Sequence, residues 1–226
     1  MHLRKDVTES LLLEGRLRSI RLDGTSVVAN PNYVWHRARG PPWLRPPRYG
    51  DCWYPYMSQG FGPFETMALA EKAGLEFVTI GINIRAETPE TAADKMDCKL
   101  SKRSLAILVL SSVSQGQMPT DSFAPAGTTP MAKLRASDGH AEPYPPTLVV
   151  ELGNEEGNSD YLSHTIPILT AMRARLQKVS PQAYARVRFA FAYNNWDSPM
   201  GDALASAAYN VTDGAACMTW DQHGKS

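Results

Sequence analysis

The sequence has no excess of charge of either sign. Its 23 lysines and arginines balance 23 aspartates and glutamates, so the formal net charge is zero. It also has no long basic run and no alternation of aromatic with basic residues, the patterns by which proteins hold nucleic-acid phosphates. A neutral, carbohydrate-like ligand therefore fits the composition better than a polyanion, and we expect no nucleic-acid partner.

Cysteine and histidine are too few and too scattered for the common redox and zinc motifs. Cys52, Cys98 and Cys217 lie too far apart for a CxxC pair or a zinc ribbon, and an odd number cannot all pair within one chain. The histidines show no spacing typical of metal ligands. They are His2, His36, His140, His164 and His223. The sequence therefore predicts no metal site and no cofactor.

The first residues contain no hydrophobic stretch long enough for export or membrane insertion. Residues 1–19 include acidic side chains and only one short leucine run, residues 11–13. A signal peptide needs a longer apolar region, and a membrane-spanning helix needs about 20 apolar residues. We expect no signal peptide within this chain and no membrane partner.

Five short apolar segments, each followed by polar residues, are typical of buried strands. They span residues 18–24, 75–83, 147–154, 186–194 and 214–220. Helical patterns lie between them. The pattern in residues 63–74 predicts a helix that ends with Gly74 as a C-cap. The pattern in residues 161–181 predicts a second helix, with Pro167 near its start and Pro181 just beyond its last helical residue. This alternation predicts a parallel sheet whose strands are apolar on both faces.

Polar side chains follow every one of these predicted strands. They are Asp23, Asn83, Asn154 with Glu155, Asn194 with Asn195, and Asp221 with His223. In a (β/α)8 barrel the carboxyl ends of the strands carry the active site, so these residues are candidates for it. Each one taken singly is better explained by a turn or a helix cap, because Asn and Asp favour such positions, and the five together favour the active-site interpretation only modestly.

Two stretches do not follow this alternation. Residues 30–60 hold many prolines and aromatic residues, which predicts a long irregular loop. Trp35, Trp43 and Trp53 in this loop could stack on sugar faces, although packing into the barrel mouth is the more common role for such residues. Residues 99–125 combine a short apolar run with a Ser/Gln/Pro-rich tail and are left unassigned.

Several blocks of the chain resemble the α-L-arabinofuranosidases of glycoside hydrolase family 51. The joined segments "GHAEPY" (139–144) and "ELGNEE" (151–156) carry the likeness best. The segments "GFGPFETMALAEKAGLEFVTIGIN" (60–83), "RSIRLDGTSVVANPNYVWHRARGPPWLRPP" (18–47) and "MTWDQH" (218–223) are also similar to the family, and the blocks follow the same order. The resemblance implies an incomplete (β/α)8 TIM barrel of α/β class, with about five parallel strands and intervening helices.

The resemblance extends over most of the chain as one domain. Residues 1–226 are expected to form part of a catalytic TIM barrel, with residues 18–98 and 126–226 similar to the family. Residues 99–125 form an unassigned insert.

The resemblance also implies a retaining mechanism with two carboxylates. By matching position, Glu155 is the acid/base and Asn154 contacts the sugar's 2-hydroxyl. His223 and Ser26 are expected to bind substrate near the same mouth, although a surface histidine explains His223 equally well. No residue is assigned as the nucleophile, because neither Glu151 nor Glu156 could stand opposite Glu155 across a sugar ring.

The expected function is that of a truncated and catalytically incomplete α-L-arabinofuranosidase. The complete form would remove terminal, non-reducing arabinofuranosyl groups from arabinoxylan or arabinan, in an extracellular setting that the resemblance implies. Two alternatives stay open. One is a non-catalytic sugar-binding or vestigial barrel fragment, and the other is a different retaining barrel glycosidase such as an endoglucanase.

Overall fold

The five predicted strands follow one another along the chain, with helices between most of them. The protein is described by a computed structural model at residues 17–22, 28, 30–49, 55–100, 130–137, 139, 140, 142–157, 159–193, 202, 203, 206 and 218–220. The strands are β1 (Ser19–Leu22), β2 (Arg48–Tyr49), β3 (Tyr56–Met57), β4 (Phe77–Ile82), β5 (Thr147–Glu156), β6 (Val187–Tyr193) and β7 (Met218–Trp220). The helices are α1 (Pro63–Lys72), α2 (Pro89–Leu100), α3 (Pro130–Ser137), α4 (Tyr161–Val179) and the single turn α5 (Pro181–Tyr184).

One parallel sheet organises the fold. Its strand order is β1-β4-β5-β6-β7, so successive long strands are neighbours, and β2 pairs with β3 in a separate antiparallel ladder. Every neighbouring pair in the larger sheet is parallel. The five predicted strands are confirmed, and so is the α/β class. Parallel strands bring their carboxyl ends to one edge of the sheet, and the candidate residues of β4 and β5 therefore lie side by side.

The hydrophobic core lies between the sheet and the helices. Alternate residues of β4, β5 and β6 point towards the helices and are fully or almost fully buried. These residues are Val78, Ile80, Ile82, Leu148, Val150, Leu152, Val187, Phe189, Phe191 and Tyr193. Helices α1, α2 and α4 cover them with Met67, Met96 and Leu169, among others. The helices thus pack against one face of the sheet.

The other face of the sheet differs from the sequence-based expectation. It carries polar residues such as Arg21, Thr79 and Glu151 beside Gly81, Val149 and Ala190. The expectation of apolar residues on both faces is therefore met only in part on this face. The described helices that contribute to the main core pack against the opposite face, and polar groups on this face pair with one another, as Arg21 does with Glu151.

Helices α1 and α4 agree closely with the sequence prediction. Helix α1 is followed by Gly74 at φ 65°, the left-handed conformation that ends many helices. Helix α4 contains Pro167 and ends just before Pro181, at Val179. Among the described residues, no helix has both the length and the apolar character needed to span a lipid bilayer.

Helices α2 and α3 were not expected from the sequence. The charged residues of helix α2 are typical of a solvent-exposed face in the sequence. In the structure, however, Lys95, Asp97 and Lys99 are almost completely buried. Each finds an internal partner: Lys95 Nζ donates to the Gly81 carbonyl at 2.7 Å, and Lys99 Nζ to the Pro63 carbonyl at 3.2 Å. Asp97 pairs with an arginine of α4. Most of the unassigned segment 99–125 lies outside the described residues.

The predicted long loop between β1 and α1 is mostly irregular but is held by one arginine. It contains two short 3-10 helices, Trp35–Ala38 and Pro42–Leu44, besides the β2–β3 ladder. The side chain of Arg45 is only 2% exposed. Its guanidinium donates to both carboxylate oxygens of Glu65, at 2.9 and 2.5 Å, and to the carbonyls of Gly40 and Gln59, at 2.8 and 2.9 Å. Arg45 therefore ties two parts of the loop to the first turn of α1.

Replacing Arg45 by lysine tests this role. Lysine keeps the charge but cannot form the paired bonds to Glu65 while reaching both carbonyls. We expect Arg45→Lys to lower the free energy of unfolding by about 2 to 4 kcal/mol, as measured by urea denaturation. Arg18→Lys is the matched control, because Arg18 also pairs with a glutamate, Glu76, but in solvent. An equal loss of stability in both variants would contradict the role of Arg45.

Candidate active site

The carboxyl end of β5 departs from regular strand geometry where the candidate residues lie. Leu152 pairs with Phe191 of β6, and Glu156 pairs with Tyr193, so β5 carries two more residues than β6 over this stretch. Gly153 has φ 86° and Glu155 has φ 52°, and both values are left-handed. The irregularity turns the backbone on each side of Asn154. Such bulges re-aim side chains and are frequent next to active sites.

A buried tyrosine hydroxyl forms hydrogen bonds to both strands where this irregularity interrupts their pairing. Tyr161, the first residue of α4, is completely buried. Its hydroxyl donates to the Leu152 carbonyl at 2.6 Å and accepts from the Ala192 backbone N–H at 3.2 Å. Its ring stacks on Tyr193 with centroids 5.5 Å apart. Burial raises the pKa of the Tyr161 hydroxyl, so the hydroxyl keeps the proton that it donates.

Asn154 is held by an arginine from a different strand. Arg21 of β1 donates through Nη2 to Asn154 Oδ1 at 2.6 Å. The same guanidinium forms a two-point pair with Glu151, with both N–O distances at 2.8 Å. Asn154 is 6% exposed and Glu151 is 2% exposed. The amide of Asn154 is therefore fixed by the Arg21–Glu151 pair, which lies on the face of the sheet opposite the main core.

Glu155 differs from its neighbours in both exposure and backbone conformation. Its side chain is exposed, whereas Asn154 and Glu156 on either side are buried. Among the described residues, Glu155 is the only one other than glycine with a positive φ. A glutamate in this region of backbone space is strained by roughly 1 to 3 kcal/mol, and such strain concentrates at functional sites.

Glu156, unlike Glu155, is buried and belongs to an ion-pair cluster with Arg85 and Asp160, which we call the rim cluster. Its Oε2 accepts from Arg85 Nη2 at 2.9 Å, and Arg85 Nη1 donates to Asp160 Oδ2 at 2.7 Å. The hydrogen bond from Arg85 lowers the pKa of the Asp160 carboxyl, and the bonds to Asp160 and Glu156 raise the pKa of Arg85. The cluster joins the end of β4 to the end of β5 and the start of α4.

Asn83, the polar residue that follows β4, serves as a turn cap. It is fully buried, and its Oδ1 accepts from the backbone N–H groups of Arg85 and Ala86, both at 3.1 Å. Its Nδ2 donates to the Asn30 carbonyl at 2.5 Å. For this residue the turn interpretation is the better one. The amide connects the end of β4 to the loop above it.

Several candidate residues lie outside the described part of the chain. These are Ser26, His223, Asp23, Asn194, Asn195 and Asp221. The structure therefore places Asn154 and Glu155 together at the carboxyl edge, and the expectations for Ser26 and His223 stay predictions.

The tryptophans of the loop have different environments. Trp35 is 2% exposed, packs against Phe64 and donates from Nε1 to the Thr91 carbonyl at 2.9 Å, so it is part of a core. Trp43 is 79% exposed. Trp53 lies outside the described residues. Trp43 is thus the described tryptophan whose ring faces solvent.

The sequence reasoning missed three residues that shape this edge. Arg21, Arg85 and Tyr161 orient Asn154, Glu156 and the strand irregularity respectively. A signal existed for one of them, because Arg21 and Glu151 are opposite charges in two strands that were both predicted to be buried. Within the described residues, no group of three or more His, Cys, Asp and Glu side chains could hold a metal ion.

The arrangement presents one exposed carboxylate beside one oriented amide. Three other carboxylates lie nearby, and each is paired with an arginine: Glu151, Glu156 and Asp160. An exposed carboxyl can exchange a proton with a bound hydroxyl or glycosidic oxygen, and an oriented amide can fix the ligand. Glu155 is therefore the candidate group for acid/base work in the described part of the edge.

Comparison with known families gives a match over nearly the whole chain. Residues 14–219 match the family model described as "Alpha-L-arabinofuranosidase 1 domain". A comparison with curated proteins found no match.

Solved structures share the fold. A family 51 alpha-L-arabinofuranosidase from Bifidobacterium longum has a TM-score of 0.66 at 17% identity, covering 96% of this chain and 37% of that one. An alpha-L-arabinofuranosidase from Thermotoga maritima, solved as an arabinose complex, has a TM-score of 0.56 at 22% identity, covering 84% and 33%. The corresponding enzyme from Thermotoga petrophila has 0.53 at 18%, covering 83% and 33%. The chain thus spans about a third of the length of these structures, and the expected partial TIM barrel is confirmed as its fold.

Gly153 offers a direct test of the strand irregularity. A Cβ atom at this residue would lie 2.7 Å from Glu156 Cγ, in addition to the strain of a positive φ. We expect Gly153→Ala to lower the free energy of unfolding by about 1 to 3 kcal/mol, as measured by chemical denaturation. Gly157→Ala is the control, because a Cβ there meets nothing within 4 Å. Equal stability of the two variants would argue against the described backbone.

Removing the hydroxyl of Tyr161 tests its part in the ladder. Tyr161→Phe leaves the buried Leu152 carbonyl and Ala192 N–H without this partner, so we expect a loss of about 1 to 3 kcal/mol in urea denaturation. Tyr184→Phe is the control, because that hydroxyl only accepts from the partly exposed Arg173. Its effect should stay within about 0.5 kcal/mol. A Tyr161→Phe variant as stable as the original chain would refute the proposed bridge.

Proposed function

The chain belongs to the alpha-L-arabinofuranosidase 1 domain family, and on that premise we propose that it forms the acid/base half of a retaining arabinofuranosidase site. The proposed substrate is a terminal, non-reducing α-L-arabinofuranosyl group on a plant polysaccharide such as arabinoxylan or arabinan. Glu155 is the proposed acid/base. An extracellular setting fits such a substrate, and the proposal needs no cofactor.

The conformation of Glu155 is the observation that carries this proposal. Its strained left-handed backbone, at φ 52°, directs its side chain to solvent between two buried neighbours. Regular strand geometry would not require this strain. Strain of this kind persists only where the surrounding structure enforces it, and here Tyr161 and the Arg85–Glu156 pair hold both sides.

The proposed chemistry follows from the position of one exchangeable proton. The Glu155 carboxyl donates its proton to the glycosidic oxygen as that bond breaks and a second carboxylate, to which no described residue is assigned, bonds to the anomeric carbon. The Glu155 carboxylate then removes a proton from the water that displaces this second carboxylate from the sugar. Asn154 positions the sugar by donating from its amide nitrogen to the 2-hydroxyl oxygen. Hydrogen bonds to this hydroxyl are expected to strengthen in the transition state.

Ser26 and His223 complete the proposal as substrate-binding residues. Both come from segments whose sequence resembles the family, after β1 and after β7 respectively. In the sequence, Ser26 follows the last residue of β1 by four positions, and His223 follows the last residue of β7 by three. Because residues that follow parallel strands gather at the carboxyl edge of a sheet, the proposal expects both near Glu155.

A second candidate, a sugar-binding protein without turnover, is favoured by the pairing of the other carboxylates. A retaining nucleophile stands about 5 Å from the acid/base. Glu151 is bound by Arg21 and Glu156 by Arg85, so neither is suited to attack a sugar. An experiment on the 226-residue chain alone distinguishes the two candidates. If the chain binds an arabino-oligosaccharide but releases no arabinose, the result supports a sugar-binding protein without turnover.

Glu155→Gln tests the leading proposal. In a polypeptide that carries this chain together with the remaining barrel strands, we expect arabinose release from an arabino-oligosaccharide to slow by about 100-fold or more. The loss should be smaller for an aryl arabinofuranoside, because a good leaving group needs less help from an acid. The measurement is kcat/KM for both substrates.

The matched control for this experiment is Glu90→Gln. Glu90 is an exposed glutamate in the first turn of α2, so its substitution removes the same charge away from the candidate edge. Full activity of Glu155→Gln on the oligosaccharide, or an equal loss in Glu90→Gln, would exclude Glu155 as the acid/base.

A further inference from the structure

The network behind Asn154 assigns a role to a residue that does not itself reach the edge of the sheet. We propose that Glu151 is a positioning residue, which acts through Arg21 to fix the direction in which the Asn154 amide presents its N–H groups. The inference rests on the proposed function only for the identity of the ligand. The orientation itself is a property of the unliganded chain.

The path of Arg21 across the sheet depends on Gly81. Arg21 lies on β1 and pairs with Thr79 of β4, whereas Glu151 lies on β5 and pairs with Gly81. The guanidinium therefore crosses β4 to reach the carboxylate. Side chains at alternate positions share one face, so Gly81 is the β4 residue on that face nearest to Glu151, and it has no side chain to block the crossing.

The hydrogen bonds from the guanidinium to Glu151 and Asn154 then fix the Asn154 amide. Nε donates to Glu151 Oε2, and one Nη2 hydrogen goes to Glu151 Oε1, each over 2.8 Å. The remaining Nη2 hydrogen goes to Asn154 Oδ1 at 2.6 Å. An arginine has donors but no acceptor, so only the oxygen of the amide can face it. The Asn154 amide nitrogen is consequently directed away from Arg21.

The carboxylate is what holds the arginine in this position. The side chain of Glu151 is 3% exposed, whereas that of Arg21 is 41% exposed. A guanidinium with this access to water can leave the sheet if its buried partner is lost. A two-point carboxylate pair sets both the position and the plane of the guanidinium, which a single acceptor does not.

The direction of the amide decides which ligand atom it selects. With its oxygen towards Arg21, Asn154 offers donors, and these require an acceptor such as the oxygen of a sugar hydroxyl. A flipped amide would offer an oxygen and would require a donor. Glu151 thereby influences ligand selection without touching the ligand.

Glu151→Gln is the variant that tests this role. Glutamine has one acceptor oxygen and a donor group, so it cannot bind two guanidinium N–H groups. On the 226-residue chain, the side-chain N–H signals of Asn154 are followed by ¹H–¹⁵N NMR and assigned by their disappearance in Asn154→Asp. We expect these signals to shift or double in Glu151→Gln, and the affinity for a methyl arabinofuranoside to weaken about tenfold or more.

Two further variants keep the test decisive. Glu76→Gln is the matched control, because Glu76 also pairs with an arginine of the β1 region, Arg18, but in solvent at the opposite edge. It should leave the Asn154 signals and the affinity unchanged. If Glu151→Gln fails to fold, the double variant Arg21→Met with Glu151→Met replaces both charges by apolar groups, which proteins often tolerate well. It should release the Asn154 amide in the same way.

The outcomes separate this inference from the proposed function. Unchanged Asn154 signals in a folded Glu151 variant would overturn the positioning role. If those signals respond but the original chain binds no arabinofuranoside, the positioning role stands and the proposed ligand is wrong. If the original chain and Glu151→Gln bind the sugar equally, Glu151 has no influence on the ligand and the inference fails.

Discussion

The hydroxyl of Tyr161 is the contact on which the geometry of the candidate edge depends. Two extra residues in β5 interrupt its ladder with β6, and a buried ladder cannot leave its backbone groups without partners. The tyrosine gives the Leu152 carbonyl and the Ala192 N–H a shared partner. The strand can therefore bend and place a buried amide and an exposed carboxylate next to one another.

Much of the fold could be predicted because its strands and two of its helices follow simple periodicity. The five strands, helix α1 with Gly74 and helix α4 with its two prolines all follow from local patterns. Helix α2 was missed because Lys95 and Lys99 resemble an exposed face, although both are buried against backbone carbonyls. Such partners come from residues distant in sequence, which periodicity does not contain.

The candidate site could be predicted in its residues but not in its geometry. The "ELGNEE" segment indicated Asn154 and Glu155, and the structure brings them to the carboxyl edge of the sheet as expected. The different exposure of Glu155 and Glu156 depends on the strand irregularity, for which an isolated glycine in a strand, Gly153, was the available signal. The roles of Arg21 and Arg85 depend on strand order, which only the assembled sheet defines.

The pairing of Arg21 with Glu151 also bears on how this chain acquires its structure. The two residues are 130 positions apart, and Glu151 lies in the middle of the sheet. A buried carboxylate without a counterion is costly, so β5 gains its full stability only once β1 has docked on the far side of β4. Contacts between such distant segments form slowly. The central strand of the sheet therefore owes part of its stability to a residue that is distant in the sequence and separated from it by another strand.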